Sequence, residues 1–219
     1  MPTDESKDFT GEIEAILRAL DTRFVDVTAL AAALRPTFRK TTRIKRRGIS
    51  RSKMMEVFLR DGFVDQYSGE RLLFPGTLLL LGELLPEVFP KAGPGQGWRV
   101  SECHWIYWRL SPTVDHTVPV ARADAGFDVN VIDNLVTTSQ MINSAKDVWV
   151  PEEVPAPMRF KRIPVDEAAE KRWDGMMQWF LDYMVKHPEY CDKDPQLRGW
   201  HKVALATIKT PAWAALAKP

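Results

Sequence analysis

The chain has very little cysteine and no long apolar run, and each absence excludes a class of protein. Cys103 and Cys191 are the only cysteines among 219 residues, and neither belongs to a Cys-x-x-Cys pair. A disulfide framework and a four-thiolate zinc site are therefore excluded. The longest apolar stretch, residues 77–85, is interrupted by Gly82 and Glu83 and is too short to span a bilayer. The first residues are polar and acidic, so no secretory signal is expected, and we expect a cytoplasmic protein without a membrane partner.

The chain is also short of net charge, yet its basic residues are unevenly placed. The formal net charge is +1 at pH 7. Residues 35–53 contain nine basic side chains and no acidic one, so the remainder of the chain is net acidic. Such a segment is typical of a surface that contacts a phosphate backbone. A solvated basic loop and a site for an acidic protein partner are the alternatives.

The length and the apolar fraction of 45% suit one good-sized domain, or a smaller one with helical flanks. Apolar residues at helical spacing predict two short helices within residues 10–34 and a third that begins at Ser50 or Ser52. A degenerate helix-turn-helix and a plain helical cap both fit these three helices, and the cap fits better. The leucines of residues 78–85 predict a short buried helix, and the glycines of residues 93–97 predict a flexible loop.

The second half of the chain combines β-forming segments with amphipathic helices. Aromatic and β-branched residues predict two strands within residues 102–118, with a turn near residues 111–112. A surface loop over residues 120–133 and a helix over residues 137–148 are expected next. After a proline-rich connector, apolar residues at steps of three and four predict two further helices, the second of which begins at Asp194–Pro195.

An ordered set of polar residues lies in this half. Asp115 and His116 are adjacent, Asn134 lies eighteen residues beyond the histidine, Asn143 nine later, and Lys146 three after that. Mg²⁺ prefers oxygen ligands, so the carboxylate of Asp115 and the amide oxygen of Asn143 suit it. The imidazole of His116 is the natural general base because its unperturbed pKa is near neutrality. Lys146 shares a helical face with Asn143, so its ammonium can reach a phosphate or a developing negative charge.

Two positions of this set raise geometric questions. Nine residues before Asn143 is two and a half helical turns, so Asn134 is expected in the loop before the helix. There its amide would tie down the hairpin segment that contains His116. Asp115 and His116 are neighbours on a predicted strand and would point to opposite sides. Either the strand ends there, helped by Pro119, or one side chain reaches round.

These residues resemble the motif of the HNH, or ββα-metal, endonucleases, in the HNN variant that also occurs in RNA-guided CRISPR effectors. The resemblance covers residues 60–150 and implies a two-stranded hairpin packed on one helix, with the metal between them. Together with the helices that the residue pattern predicts outside this range, the chain is expected to be α+β and mainly helical, with a ββα-metal core and helical flanks. The N-terminal flank with its basic linker would be residues 1–59, and the C-terminal helical extension residues 151–219.

The resemblance also implies the site residues and the cofactor. The catalytic residues would be His116, Asn134 and Lys146, and the metal ligands Asp115 and Asn143. The metal would be Mg²⁺, with Mn²⁺ as a substitute.

A second part of the resemblance lies upstream of the motif. Arg60-Asp61-Gly62-Phe63 matches an Arg-Asp-Gly-aromatic frame that many members of the family carry ahead of a structural zinc site. The four positions that hold the zinc-binding thiols in those members are Asp65, Ser68, Ser139 and Ile142 here. No structural zinc is therefore expected.

Residues outside the motif add further candidates. His104 is a candidate for a supporting or substrate contact, and Arg122 for a phosphate contact. A structural histidine and a solvated arginine are the respective alternatives. The nucleic-acid-binding residues are predicted within the basic segment, at Arg43, Lys45, Arg46, Arg47 and Arg51.

The sequence is therefore interpreted as that of a metal-dependent endonuclease that hydrolyses phosphodiester bonds in DNA, and nicks one strand if monomeric. Restriction or phage defence is a common function of small HNH proteins, so we also expect protein partners from a defence system. Two alternatives stay open: a non-cleaving nucleic-acid-binding subunit on the same scaffold, and a toxin-type nuclease with an immunity partner. The choice between DNA and RNA as substrate, and the oligomeric state, also stay open.

Overall fold

The structure is a computed structural model that describes residues 48–91, 102–124, 126–147 and 161–216. The helices predicted in the first forty residues, the glycine-rich loop and most of the basic segment lie outside these ranges. The described part is mainly helical and contains one two-stranded antiparallel sheet, which confirms the α+β class. None of the helices within these ranges is long and apolar enough to cross a membrane.

Helix α1, Arg51–Asp61, begins where the sequence predicts. The hydroxyl of Ser50 accepts a hydrogen bond from the backbone N–H of Lys53 at 3.2 Å, which satisfies one free donor of the first turn. The helix ends at Gly62, whose φ of +64° lies in the left-handed region that glycine adopts without steric cost. A Cβ at this position would also collide with the side chain of Arg172. Glycine is therefore required here for two independent reasons.

Two further helices precede the sheet. Helix α2, Pro75–Leu84, begins with a proline in its first turn, where the missing N–H has no partner to lose, and it buries leucines as predicted. Helix α3 covers Ile106–Arg109, where the sequence analysis predicts a strand, so that prediction is wrong. Aromatic residues favour strands only when their neighbours do. Here Tyr107 is buried in a cluster with Leu78 of α2 and Cys103, and this packing favours a helical turn.

The sheet consists of β1, Pro112–His116, and β2, Leu135–Ser139. The strands are antiparallel, with Pro112 opposite Ser139 and His116 opposite Leu135. The second strand therefore lies after the loop, where the sequence analysis predicts the beginning of a helix. Thr137 is β-branched and fully buried opposite Val114, and such side chains pack well on a pleated surface.

Helix α4, Gln140–Lys146, follows β2 without a loop and packs against both strands. The hydroxyl of Ser139 caps it by accepting a hydrogen bond from the N–H of Ile142 at 3.2 Å. The loop between the strands occupies the predicted position and contains two 3₁₀ turns, Val120–Arg122 and Ile132–Asn134. We refer to β1, β2 and α4 together as the hairpin–helix unit.

The C-terminal part consists of helices. The helix at Pro195–Thr207 begins at the predicted Asp194–Pro195, because Asp194 Oδ1 accepts hydrogen bonds from the N–H groups of Gln196 (2.7 Å) and Leu197 (3.4 Å). The helices of this part are α5, Val165–Glu170; α6, Met177–Lys186; α7, Tyr190–Lys193; α8, Pro195–Thr207; and α9, Pro211–Leu216.

One hydrophobic cluster joins these helices to the rest of the described chain. The ring of Phe58 in α1 stacks on that of Trp200 in α8, with 6.5 Å between centroids, and Phe74 contacts the same tryptophan edge-on. Val114 of β1 and Leu135 of β2 belong to the same cluster. The predicted boundary between residues 59 and 60 falls inside α1, so the flanks and the core are packed together. The separate roles of the three parts stay predictions.

Candidate active site

An ion pair between β1 and α4 lies at the centre of the hairpin–helix unit. The Nζ atom of Lys146 is 2.9 Å from Oδ2 and 3.2 Å from Oδ1 of Asp115, and 2.9 Å from the carbonyl oxygen of His116. These three acceptors match the three hydrogens of an ammonium. Lys146 is fully buried and Asp115 is 4% exposed. Each residue therefore neutralises the charge of the other away from water, and two of the predicted site residues are in contact.

A tyrosine that the sequence analysis missed is another partner of this carboxylate. The hydroxyl of Tyr67 donates a hydrogen bond to Oδ2 of Asp115, with 2.6 Å between the oxygens. Burial raises the pKa of Tyr67, and the charge of Asp115 raises it further, so the hydroxyl keeps its proton and acts as the donor. Tyr67 lies between α1 and α2, forty-eight residues before Asp115. No local sequence pattern connects residues so far apart.

The imidazole of His116 is held by the loop between the strands. Its Nε2 is 3.0 Å from Oδ1 of Asn130, and because an amide oxygen only accepts, the neutral ring that fits this contact donates from Nε2 and has its lone pair on Nδ1, as a general base needs. Asn130 is itself positioned by a hydrogen bond from its N–H to Oδ1 of Asp128 at 3.0 Å. The neighbouring Asp115 is directed towards Lys146 instead. The two adjacent side chains therefore diverge, as successive strand positions require.

Asn134 fixes the chain just beyond β1. Its Oδ1 accepts from the N–H of Val118 at 2.8 Å, and its Nδ2 donates to the carbonyl oxygens of Val118 (3.2 Å) and Val129 (2.8 Å). The side chain is 5% exposed. Its position in the loop after His116 agrees with the predicted tie to the hairpin, but the element that follows is β2 and not a helix. These contacts hold the segment next to His116 in place.

Asn143 has a different environment. It is half-buried on α4, one turn before Lys146 and on the same face of the helix. Within the part of the chain that the structure describes, its side-chain amide makes no hydrogen bond, whereas its carbonyl accepts from the N–H of Asp147. The amide oxygen of Asn143 is therefore available to a ligand.

The two predicted supporting residues lie in other surroundings. The Nδ1 atom of His104 accepts from the N–H of Ile106 at 3.3 Å, and its ring packs against Phe89 and Trp105. In the residues that the structure describes, no contact joins His104 to the ion pair, and its surroundings are those of a structural histidine. Arg122 is exposed in the first 3₁₀ turn of the loop between the strands.

The predicted nucleic-acid-binding residues are only partly described. Arg51 is the first residue of α1, and its guanidinium lies over the ring of Trp200, 5.6 Å from the centroid. This cation–π contact places Arg51 beside α8. The remaining predicted residues lie outside the described ranges; they are Arg43, Lys45, Arg46 and Arg47.

The Arg-Asp-Gly frame anchors α1 to β2. Asp61 is buried, and its Oδ2 accepts from the N–H of Thr137 at 2.7 Å. The guanidinium of Arg60 binds both oxygens of Asp61 at 2.8 and 3.0 Å. The same group donates to the carbonyl oxygens of Ile132 (2.8 Å) and Leu135 (2.6 Å). The frame therefore fixes where β2 begins relative to α1.

A second buried carboxylate, Asp65, connects the segment after α1 to β2. Its Oδ1 accepts from the N–H groups of Tyr67 (2.9 Å) and Ser68 (3.2 Å). Its Oδ2 accepts from the hydroxyl of Thr138 (3.1 Å) and the N–H of Ser139 (2.7 Å). Burial raises the pKa of Asp65, while the backbone hydrogen bonds act in the opposite direction. Asp65, Ser68 and Ser139 are three of the four positions at which the resemblance places thiols in other proteins, and one carboxylate joins them here.

The donor set suits a hard divalent cation, with one condition. Among residues 48–91, 102–124, 126–147 and 161–216, no three His, Cys, Asp or Glu side chains form a metal-binding group. The predicted site needs only the Asp115 carboxylate and the Asn143 amide, because Mg²⁺ keeps several waters. Oδ1 of Asp115 accepts from Lys146 alone among the described groups, so it retains lone-pair capacity. The condition is that an incoming cation must compete with the ammonium already present.

Comparisons with protein-family models, with curated proteins and with solved structures find no match to this chain. The functional interpretation therefore depends on the motif and on the geometry. The motif assigned Asp115 and Lys146 to one site, but Tyr67 and Asp65 were not assigned to it. Asp65 was matched only to a zinc-thiol position of the resemblance, and no sequence pattern pointed to Tyr67.

Proposed function

We propose that this chain is a metal-dependent endonuclease of the HNH, or ββα-metal, type and that its substrate is DNA. The observation that supports this most directly is the strand–strand–helix unit, in which Asp115 lies on β1 and Asn143 and Lys146 lie on α4. His116 follows the aspartate on the same strand, and Asn143 lies one turn before the lysine. Their order and spacing, with Asn134 between them, are those of the HNN motif.

Each residue of the unit has a role in the proposed hydrolysis. Asp115 and Asn143 would hold Mg²⁺, which supplies Lewis-acid stabilisation of the phosphate and of the leaving oxygen. Nδ1 of His116 accepts the proton of the attacking water, while Asn130 keeps the ring oriented through Nε2. Lys146 adds a positive charge to the site of developing negative charge.

The decisive experiment is nicking of supercoiled plasmid with Mg²⁺ or Mn²⁺, compared with EDTA. Linear and single-stranded DNA and RNA are tested in parallel, because the substrate class is part of the proposal. His116→Ala is expected to lower the cleavage rate by about 10²–10⁴, the range typical of a lost general base, with nucleic-acid binding retained.

His187→Ala is the matched control, because His187 stacks on Tyr183 at the end of α6 and should leave the rate unchanged. If the wild-type protein still cleaved DNA in the presence of EDTA, the metal requirement would be contradicted. Cleavage that persists in His116→Ala would contradict the assignment of the base.

A second candidate function is favoured by the ion pair itself. Asp115 and Lys146 are buried and paired with each other, and in this alternative the pair joins β1 to α4 and holds no metal. The chain would then be a non-cleaving nucleic-acid-binding subunit on the same scaffold. Binding of DNA in EDTA, without cleavage under any metal, would favour this alternative over the nuclease.

A further inference from the structure

We propose that Tyr67 is a positioning residue that sets the orientation of the Asp115 carboxylate for metal binding. This inference rests on the proposed function, and it adds a residue that the HNN motif does not contain. Tyr67 is 7% exposed, and its hydroxyl is 2.6 Å from Oδ2 of Asp115. A hydrogen bond to an ionised acceptor at this distance is strong and directional.

The hydroxyl makes the two oxygens of Asp115 unequal. Oδ2 accepts from Tyr67 and lies 2.9 Å from the Lys146 ammonium, whereas Oδ1 accepts from Lys146 alone among the described groups, at 3.2 Å. Without the hydroxyl, the carboxylate plane would be set by the ammonium only, which lies close to both oxygens. Tyr67 therefore selects Oδ1 as the oxygen left for a cation. Removing a residue that orients a metal-binding side chain commonly weakens metal affinity by about 10–100-fold.

The segment that contains Tyr67 is held at successive residues. Asp65 accepts a hydrogen bond from the N–H of Tyr67 itself. Gln66, the residue before Tyr67, donates its N–H to the carbonyl oxygen of Thr137 in β2. Its own carbonyl oxygen accepts from the N–H of Ile163, and both distances are 2.9 Å. A tyrosine fixed in this way keeps its hydroxyl at one place relative to the sheet.

Asp65 also fixes the other side of the site. Its second oxygen binds the N–H of Ser139, and Ser139 caps α4, the helix that contains Asn143 and Lys146. One buried carboxylate therefore sets both the tyrosine and the beginning of the helix. The distance from Tyr67 to the site is thus determined by hydrogen bonds and not by side-chain packing alone.

The test compares Tyr67→Phe with Tyr107→Phe, each of which removes one buried hydroxyl and keeps the ring. Tyr107 donates to the carbonyl oxygen of Phe89 at 3.0 Å, and it is the matched control. Mn²⁺ binding is measured by electron paramagnetic resonance and calorimetry on the full chain, and plasmid nicking is measured over a range of Mn²⁺ concentrations. For Tyr67→Phe we expect a Mn²⁺ affinity about 10–100-fold weaker, with nicking restored by excess Mn²⁺. Tyr107→Phe should match the wild type in both.

Thermal unfolding of both variants shows whether either is unfolded. Equal Mn²⁺ affinity in Tyr67→Phe and wild type would overturn the positioning role while the proposed nuclease stands. Equal losses in the two variants would overturn it as well, because the effect would then be general destabilisation. Failure of the wild type to bind Mn²⁺ or to nick DNA would instead refute the proposed function itself.

Discussion

The interior of the hairpin–helix unit and the interior of the C-terminal part are built from different chemistry. Around α6 and α8 most of the buried side chains are aromatic and aliphatic, and the ring of Phe74 contacts those of both Phe180 and Trp200. In and beside the hairpin, the buried side chains include carboxylates and threonines as well as apolar residues. Of the buried polar side chains that the structure describes, all but Thr77 and Thr207 lie within residues 61–66 and 115–146.

This difference between the two interiors separates the source of stability from the source of fixed atomic positions. An apolar interior is stabilised in proportion to the area it buries and needs no particular partner for each group. A polar interior is stabilised only when every donor finds an acceptor, and a single loss leaves a buried group unsatisfied. The candidate site lies in the second kind of interior, where positions of charged atoms are fixed.

The two regions meet at the end of α1. The guanidinium of Arg172 donates to the carbonyl oxygen of Leu59 at 3.0 Å, and Nε1 of Trp173 donates to that of Phe63 at 3.1 Å. Both acceptors flank the Arg60-Asp61-Gly62 frame, which in turn holds β2. The apolar C-terminal part therefore supports the segment that orders the polar interior.

The largest stability effect is expected from breaking the ion pair on one side. Lys146→Met leaves Asp115 buried without a counter-charge, which should cost about 3–5 kcal/mol of unfolding free energy. The measurement is urea unfolding in EDTA. The double variant Asp115→Leu with Lys146→Met removes both charges and should recover part of this loss, because a buried pair replaced by apolar residues is often neutral, whereas the hydroxyl of Tyr67 loses its acceptor.

Added Mg²⁺ sharpens this comparison. It should restore part of the stability of Lys146→Met, since a divalent cation can supply the charge that the ammonium supplied. A double variant less stable than Lys146→Met would show that the pair does more than balance charge, and would contradict the explanation given for its cost.

The apolar interior should respond differently to a loss of similar size. Leu197→Ala removes a fully buried side chain from the first turn of α8 and should cost about 2–5 kcal/mol through lost burial and the remaining cavity. The same urea experiment measures it. Mg²⁺ should have no effect on this variant. Recovery of Leu197→Ala by Mg²⁺ to the same extent as Lys146→Met would remove the distinction between the two interiors.

Local sequence signals predicted where helices begin more accurately than they predicted which segments form strands. Ser50 and Asp194–Pro195 begin α1 and α8 as predicted, because capping depends on residues a few positions apart. The predictions for residues 106–109 and 137–139 were wrong because the conformation of these segments depends on distant partners. The segment with Tyr107 packs on α2, and the threonines of β2 pair with a strand more than twenty residues earlier.

The site could be predicted in the same limited way. The spacing of Asp115, Asn143 and Lys146 placed these residues in one unit, and the contact between the first and the last is present. Tyr67 and Asn130, which orient the aspartate and the histidine, come from other segments. Neither has a sequence pattern of its own, because a hydrogen bond across forty-eight residues leaves no periodicity to detect.

The smallest effect concerns the cap of α8, at the edge of the apolar interior. Burial disfavours the charged form of Asp194, but hydrogen bonds from Lys91 and from the N–H groups of Gln196 and Leu197 outweigh it. They hold the pKa of this carboxyl below its ordinary value of 3.8. A carboxyl with a lowered pKa in the folded state stabilises the protein above the unfolded value, and that contribution is lost as the pH falls through the folded value.

Asp194→Ala should therefore cost about 0.5–2 kcal/mol at neutral pH, the usual range for a lost N-cap. The difference from wild type should begin to shrink as the pH falls below 3.8, where the carboxyl of the unfolded chain takes up a proton, and should be lost as the pH falls through the lower pKa of the folded state. Urea unfolding at several pH values measures both. Asp192→Ala is the matched control, since that side chain is 88% exposed and its contact with Arg198 is 3.6 Å long. A cost for Asp194→Ala that is the same at every pH would mean that packing, and not the ionised cap, stabilises the start of α8.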